Sequence, residues 1–246
     1  MFSITPHSPS AFHVVFKLDK ALVSDLPLFA GFASADLDAI LARAQAVHYR
    51  KGKPVFSQDE HAHSFFLLLH GRLRVTQVTP QGDQIVVRFV NPGDLFGIAL
   101  AIGRTTYPGT ATAAVDSLAL AWPSAVWPEL MAQYPALASN AMRMVGSRLQ
   151  EAHQRVRELS TEDVERRLAH TLLKLARDSG VEREGRVEID FPLSRQDLAE
   201  MTATTLHTVS RIMSAWEAAD LVESGRQRVT ICDEPRLQVI ASGAEE

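Results

Sequence analysis

Leu193-Ser194-Arg195-Gln196-Asp197-Leu198-Ala199-Glu200-Met201-Thr202-Ala203-Thr204-Thr205-Leu206-His207-Thr208-Val209-Ser210-Arg211-Ile212 has the spacing of two short helices joined by a tight turn. Ala199 is the small residue needed where two helices cross at close range, and the turn centres on Ala203. Val209 and Ile212 fall one helical turn apart, on the face that meets the first helix. Such a turn favours φ > 0 at its centre, so alanine at 203 costs about 1 kcal/mol relative to glycine if that geometry is kept.

Downstream, Trp216 continues the inward face, and Leu221-Val222, Glu223-Ser224-Gly225-Arg226 and Arg228 to Ile231 read as a β-hairpin. A helix-turn-helix followed by such a wing is a reader of duplex DNA. The outward residues of the second helix, Thr205, Leu206, His207, Ser210 and Arg211, combine donors, an acceptor and an apolar contact suited to base edges. Thr204, Arg195 and Arg226 are placed for phosphates. A helical hairpin with no nucleic-acid role is the plain alternative, against which the wing argues.

Upstream, Arg166 to Ala176 reads as a further helix, separated by the cap-forming Ser160-Thr161-Glu162-Asp163 from a long helical stretch opened by Pro135. Within that stretch Val145, Leu149, Ala152, Val156 and Leu159 recur at alternating steps of four and three. This is a heptad seam, as expected of two copies pairing across a dimer axis; the same stripe packed on a neighbouring domain is the alternative. The helix is longer than such a domain can cover, and readers of this kind need two half-sites, so pairing is the expectation.

Before Pro135 the period changes. Val55-Phe56, Phe65 to Val75, Ile85 to Val90 and Thr110 to Ala121 are β-rich runs, with turns at His70-Gly71, Pro80 to Asp83 and Asn91 to Asp94. Short strands at this spacing without intervening helices imply an antiparallel jelly roll. Ahead of them, Ser34 is placed to cap a helix carrying Leu37, Ile40, Leu41 and Ala44. The expected organisation is α+β: a leader over 1–27, an effector-sensing β jelly roll over 28–134, a dimerisation helix and hinge over 135–162, and a winged helix-turn-helix over 163–246.

Composition narrows the function. The single cysteine, Cys232, forms no intramolecular disulfide and cannot by itself hold an iron-sulfur cluster or a thiolate zinc site. No apolar run of signal-peptide length precedes Lys17 and Lys20, and none approaches a membrane span, so a cytoplasmic location away from the membrane is expected. The net charge of −4 gives a nucleic-acid reading no help. Residues 163–246 hold 11 Lys plus Arg against 16 Asp plus Glu, so any DNA-binding face is a local basic patch on an acidic domain.

Over residues 28–238 the chain resembles the superfamily of the cyclic-AMP receptor protein and the fumarate-nitrate reduction regulator. The resemblance rests on Leu28-Phe29, Lys51-Gly52, Gly71-Arg72-Leu73-Arg74-Val75, Pro92-Gly93-Asp94-Leu95-Phe96-Gly97, Glu165-Arg166-Arg167-Leu168-Ala169 and the helix-turn-helix. Thr204 to Arg211 followed by Ala215-Trp216-Glu217 looks most like the branch of nitric-oxide-responsive denitrification regulators. The resemblance implies a homodimer on a palindromic operator in double-stranded DNA, a small-molecule or gas effector, and RNA polymerase as a partner if the protein activates. It puts Ser210 and Arg211 on base-contacting positions, while His207 stands where a base-reading Glu is usual.

The effector region departs from the cyclic-AMP-binding members. Ile98 holds the position of their ribose-binding Glu, and Tyr107-Pro108-Gly109-Thr110 that of their phosphate-binding Arg-Ser pair. A buried phosphate without a charged partner is strongly disfavoured, so cyclic AMP is not the expected ligand. The iron-sulfur branch is disfavoured by the missing N-terminal cysteines. What remains is an expected apolar pocket floor, Ile98, Ala99 and Leu100, with Thr110, Arg88, Arg148, Ala152 and His153 as further pocket residues. Haem is a candidate, sensing nitric oxide or redox state, since imidazole ligates iron and guanidinium groups suit propionates. For Arg88, Arg148 and His153, plain solvated or interface roles remain open.

The rival class is a metal-dependent cupin-like enzyme, invited by His61-Ala62-His63, or else a jelly-roll ligand-binding module acting on a protein. No Glu or His follows at ligand spacing, and both histidines sit in a polar turn where solvent exposure is expected. A regulator rather than an enzyme is therefore the reading.

Overall fold

The computed structural model describes residues 23–243 and the short strand β1 (Phe12–His13). Residues 1–11 and 14–22 of the expected leader lie outside the described residues. The chain divides into two compact units. One comprises the segment ending at Val75 and Phe89–Ser147; the other comprises Thr76–Arg88 and the chain from Arg148 onward.

The N-terminal elements run α1 (Ser34–Leu41), β2 (Gln45–Tyr49), β3 (Pro54–Phe56), β4 (Ser64–His70), β5 (Leu73–Val78), β6 (Gln84–Val90), β7 (Leu95–Phe96), β8 (Thr110–Ala113), β9 (Ser117–Pro123), α2 (Trp127–Gln133) and α3 (Pro135–Thr161). They form two sheets, ordered β1-β2-β9-β4-β7 and β3-β8-β5-β6. The pairings β1/β2, β2/β9, β4/β9, β4/β7 and β3/β8 are all antiparallel, as a jelly roll requires.

Strand β4 explains why Phe65 to Leu69 reads as continuous apolar sequence rather than alternating. Phe66 and Leu68 enter a core with Phe56, Leu73, Val90, Phe96 and Tyr107. Phe65 and Leu67 enter a second core with Leu28, Phe29, Ile40, Trp122, Leu130 and Leu137. A strand covered on both faces has no polar side to show. Phe65 stacks on Trp122 at 5.4 Å, and the Trp122 indole N–H donates to the Ile40 carbonyl at 3.0 Å, fastening α1 to the sheet.

Several motif residues hold architecture. Gly71 has φ +87°, and a Cβ there would lie 2.4 Å from Ser117 Oγ and 2.5 Å from the Asp116 carbonyl. The Arg72 guanidinium donates to Asn91 Oδ1, and the Asn91 N–H donates to Asp94 Oδ2 at 3.0 Å. The Gly93 N–H donates to the Leu68 carbonyl at 2.7 Å, closing that turn against β4.

Three expectations need correction. Ser34 is the first helical residue of α1, and the cap is Ala33, whose backbone is extended. Thr110 to Ala121 is not one run but β8 and β9, broken at residues 114–116 where Ser117 Oγ donates to the Val115 carbonyl. Strand β2 went unpredicted because Gln45 to Tyr49 buries only Val47 and Tyr49, too few apolar positions to stand out in the sequence.

The C-terminal elements are α4 (Val164–Ser179), β10 (Gly180–Arg183), β11 (Arg186–Ile189), α5 (Arg195–Thr202), α6 (Leu206–Ala218), β12 (Val222–Gly225), β13 (Arg228–Ile231) and α7 (Glu234–Ser242). Their sheet is ordered β10-β11-β13-β12. Helix α3 starts at Pro135 and ends at Thr161, as its sequence predicts. Asp163 then caps α4, its Oδ1 accepting from the Arg166 N–H at 2.9 Å, so only two residues separate the helices.

Candidate nucleic-acid interface and effector region

The helix-turn-helix is built from its caps inward. Ser194 and Asp197 form a reciprocal capping box on α5: the Asp197 N–H donates to Ser194 Oγ at 3.0 Å and the Ser194 N–H to Asp197 Oδ2 at 3.0 Å. Helix α5 ends at Ala203, whose φ of 51° and ψ of 51° are left-handed, as the turn requires. Thr205 caps α6, its Oγ1 accepting from the Thr208 N–H at 3.1 Å. Ala199, Val209, Ile212 and Trp216 are buried, and the Trp216 indole N–H donates to Glu165 Oε1 at 2.9 Å, pinning α6 to α4.

Because Ala203 holds φ > 0, Ala203→Gly relieves the Cβ clash at the cost of some unfolded-state entropy. The expected net gain is about 0.5–1 kcal/mol in the C-terminal unit. Its thermal transition should rise by a few degrees, and a fall would mean that the entropy outweighs the clash.

Thr205, Leu206, His207 and Arg211 are exposed on α6, and Thr204 and Ser210 are half-buried. The wing is β12 and β13, with Arg226, Gln227 and Arg228 exposed at its tip. The Leu193 N–H donates to the Gln227 carbonyl at 3.1 Å, which sets the wing beside the start of α5. Arg228 was not singled out in the sequence, although its place opposite Gly225 in the hairpin register puts it at the tip with Arg226.

Arg195, expected at a phosphate, has protein partners as well. Its Nη2 lies 2.9 Å from Glu217 Oε1 and 3.0 Å from Ser224 Oγ, and Ser224 Oγ also donates to Glu217. The guanidinium therefore ties α5, α6 and the wing together.

The expected effector residues fall in two groups. Ile98, Ala99, Leu100 and Thr110 belong to the first unit, Arg88, Arg148, Ala152 and His153 to the second. The first three do not make a common floor. Ile98 packs on the core that holds α1 and α2, Ala99 joins the core between the sheets, and Leu100 is 42% exposed on a single 3₁₀ turn. Their consecutive positions in an irregular segment point them in different directions. Thr110 Oγ1 accepts from the Gln58 N–H at 2.9 Å. In the second unit Arg88 and Arg148 are half-buried, while Ala152 and His153 are exposed on α3.

Tyr107, read in the sequence only as part of the segment that replaces a phosphate-binding pair, proves to be a core residue. It is fully buried, stacks on Phe56 at 3.8 Å, and its hydroxyl donates to the Ser64 carbonyl at 2.7 Å while accepting from the Ser64 N–H at 3.1 Å. Burial pushes its phenol up to about 12, so a neutral ring stands at the foot of β8. Two clefts lie elsewhere: one of about 500 Å³ beside Leu173, Arg177 and Glu182, and one of about 330 Å³ beside Phe32 and Tyr134. Neither is lined by an expected effector residue.

His61 and His63 are exposed, as expected, and His63 lies 3.3 Å from Glu60 Oε1. Among the described residues no group of three or more His, Cys, Asp or Glu side chains is arranged to hold a metal ion. Among the same residues no helix is long and apolar enough to cross a membrane.

A double-sheet β domain, a long apolar-striped helix and a winged helix-turn-helix define a DNA-binding transcription regulator. Residues 46–134 match the cyclic nucleotide-binding domain and residues 166–240 the Crp-like helix-turn-helix domain. The chain belongs to the superfamily of the cyclic-AMP receptor protein and the fumarate-nitrate reduction regulator. It is 29% identical to a cyclic AMP receptor protein of Thermus thermophilus over 217 residues, covering 88% of this chain and 97% of that one. With the transcriptional activator protein FnrA of Stutzerimonas stutzeri it shares 27% identity over 220 residues, 89% of each chain. The structure of FixK2 from Bradyrhizobium japonicum superposes with a TM-score of 0.72 at 23% identity, covering 82% of this chain and 99% of that one.

Proposed function

We propose that the protein is a homodimeric, effector-responsive regulator that binds a palindromic DNA site through α6 and the wing. The domain division proposed with it is a sensing β jelly roll over 28–134, a dimerisation helix and hinge over 135–162 and the DNA-binding domain over 163–246. The observation that carries the reading is the exposed face of α6, where His207 and Arg211 stand clear of a buried Val209-Ile212-Trp216 face. A two-fold axis places two such helices in successive major grooves about one helical turn apart. RNA polymerase is the further partner if the regulator activates.

Arg211→Ala should cost about 1–3 kcal/mol on the specific site and relax preference at one base pair. Fluorescence anisotropy on specific and random duplexes measures both. Equal losses on the two would make Arg211 a phosphate contact only.

The proposed effector is not cyclic AMP. Supporting this, the stacked Phe56-Tyr107 pair fills space between the sheets, and neither Ile98 nor Tyr107 offers a charge to a ribose or phosphate. Saturating cyclic AMP should leave melting temperature and DNA affinity unchanged; micromolar calorimetric binding would contradict this. A haem reading, with nitric oxide or redox state as the signal, has the exposed imidazole of His153 in its support and the filled inter-sheet core against it. Titrating haem into wild type and His153→Ala decides it: no Soret change in either dismisses haem, and equal changes in both dismiss His153 as the ligand.

A further inference from the structure

The cleft of about 330 Å³ beside Phe32 and Tyr134, where the start of α1 meets the junction of α2 with α3, has a definite chemistry. Phe32 and Tyr134 are half-buried, with ring centroids 6.1 Å apart and planes inclined at 50°, so the cleft has two aromatic walls set at an angle. Of the described residues lining it, Asp36 alone carries a formal charge. Asp36 is exposed in the first turn of α1, and among the described residues it has no ion-pair partner. The cations of the flanking elements are engaged elsewhere: Arg43 with Glu129 at 2.8 Å, and Arg143 with Asn140.

The fold holds these walls in place. Asn140, buried on α3, donates from Nδ2 to the carbonyls of Leu28 at 2.9 Å and Ala30 at 3.1 Å, which fastens the chain leading to Phe32 onto the helix that follows Tyr134. Phe29 meets Phe32 edge-on at 6.3 Å and supports its ring from the core. Gly31, at φ +82°, has nothing within 4 Å of where a Cβ would stand, so the space beside the rings is open.

We propose that this cleft binds a small quaternary ammonium ion of the choline type. Aromatic faces carry a negative quadrupole that attracts a cation lying over them, and the alkyl groups around a quaternary nitrogen present apolar surface to the same rings. The Asp36 carboxylate supplies the opposite charge. An anion would meet that carboxylate and two ring faces, all repulsive to it. None of the lining residues is among those expected to contact DNA or the effector, so the site adds to the function proposed above.

The test is isothermal titration calorimetry of the full chain with choline at fixed ionic strength. Its neutral isostere dimethylbutanol, in which a quaternary carbon replaces the nitrogen, is the control. Choline should bind with a dissociation constant of about 1 mM, and the isostere about tenfold or more weakly. Asp36→Asn should weaken choline about threefold to tenfold, and Phe32→Leu about tenfold. Tyr134→Phe keeps the ring face and should bind within about twofold of wild type. Position 36 is exposed and leucine keeps the apolar contact at 32, so melting temperatures without ligand should stay close to wild type. Equal binding of choline and its isostere overturns the assignment, as does choline binding that Asp36→Asn and Phe32→Leu leave unchanged. The absence of saturable heat at choline concentrations about ten times the expected constant overturns it as well.

Discussion

Leu149→Asp with Val156→Asp should convert the protein to a monomer and lower its affinity for a palindromic site about 10²–10⁴-fold, the loss that follows when two linked half-site contacts become one. The two side chains are 56% and 60% exposed on α3, and Leu159 on the same seam is 41% exposed. A 27-residue helix is about 40 Å long, and its seam is bare in the single chain over the whole C-terminal half. A carboxylate at two seam positions would have to be buried against its own copy across the axis, which is unfavourable twice over. Sedimentation equilibrium and anisotropy on the same samples check the result. A variant that remains dimeric would place the interface on another face.

Gly71→Ala should destabilise the β domain by about 3–5 kcal/mol, because the new methyl meets backbone and cannot move aside. It would lie 2.5 Å from the Asp116 carbonyl and 2.7 Å from Ser117 Cα, at a φ of +87°. Gly82→Ala is the matched control: φ there is +92°, but nothing lies within 4 Å of the added methyl, so only the backbone cost of about 1–2 kcal/mol applies. Calorimetry should show the β-domain transition far lower for the first variant than for the second. Equal transitions would mean that the turn between β4 and β5 relaxes around the methyl.

The elements that the sequence made legible are those whose signal is local. The left-handed Ala203 and the start of α3 at Pro135 each depend on a few neighbouring residues, and each stands where its spacing predicts. The hairpin of β10 and β11 was invisible because Glu182 to Arg186 is charged at every position but Gly185, as an ordinary surface loop would be; it is held by backbone pairing that side chains do not announce.

The exposed face of α6 was legible for a related reason: helical geometry alone decides that Thr205, His207 and Arg211 point away from Val209 and Ile212. What the sequence could not show was the partner of Arg195, since Glu217 and Ser224 lie 22 and 29 residues away. The directions of the expected pocket-floor residues were hidden too. Ile98, Ala99 and Leu100 are adjacent in sequence, but an irregular segment has no period from which their directions could be inferred.

The charge of the C-terminal domain bears on how the regulator searches a chromosome. With 16 acidic and 11 basic residues between 163 and 246, the domain meets the phosphate backbone of any duplex with little overall attraction. The positive charge exposed on α6 and the wing tip is that of Arg211, Arg226 and Arg228. Wrong sequences therefore retain it weakly, and few copies are sequestered among the great excess of incorrect sites. The salt dependence of binding is then expected to follow the few phosphates these arginines neutralise, leaving base recognition to distinguish the correct site.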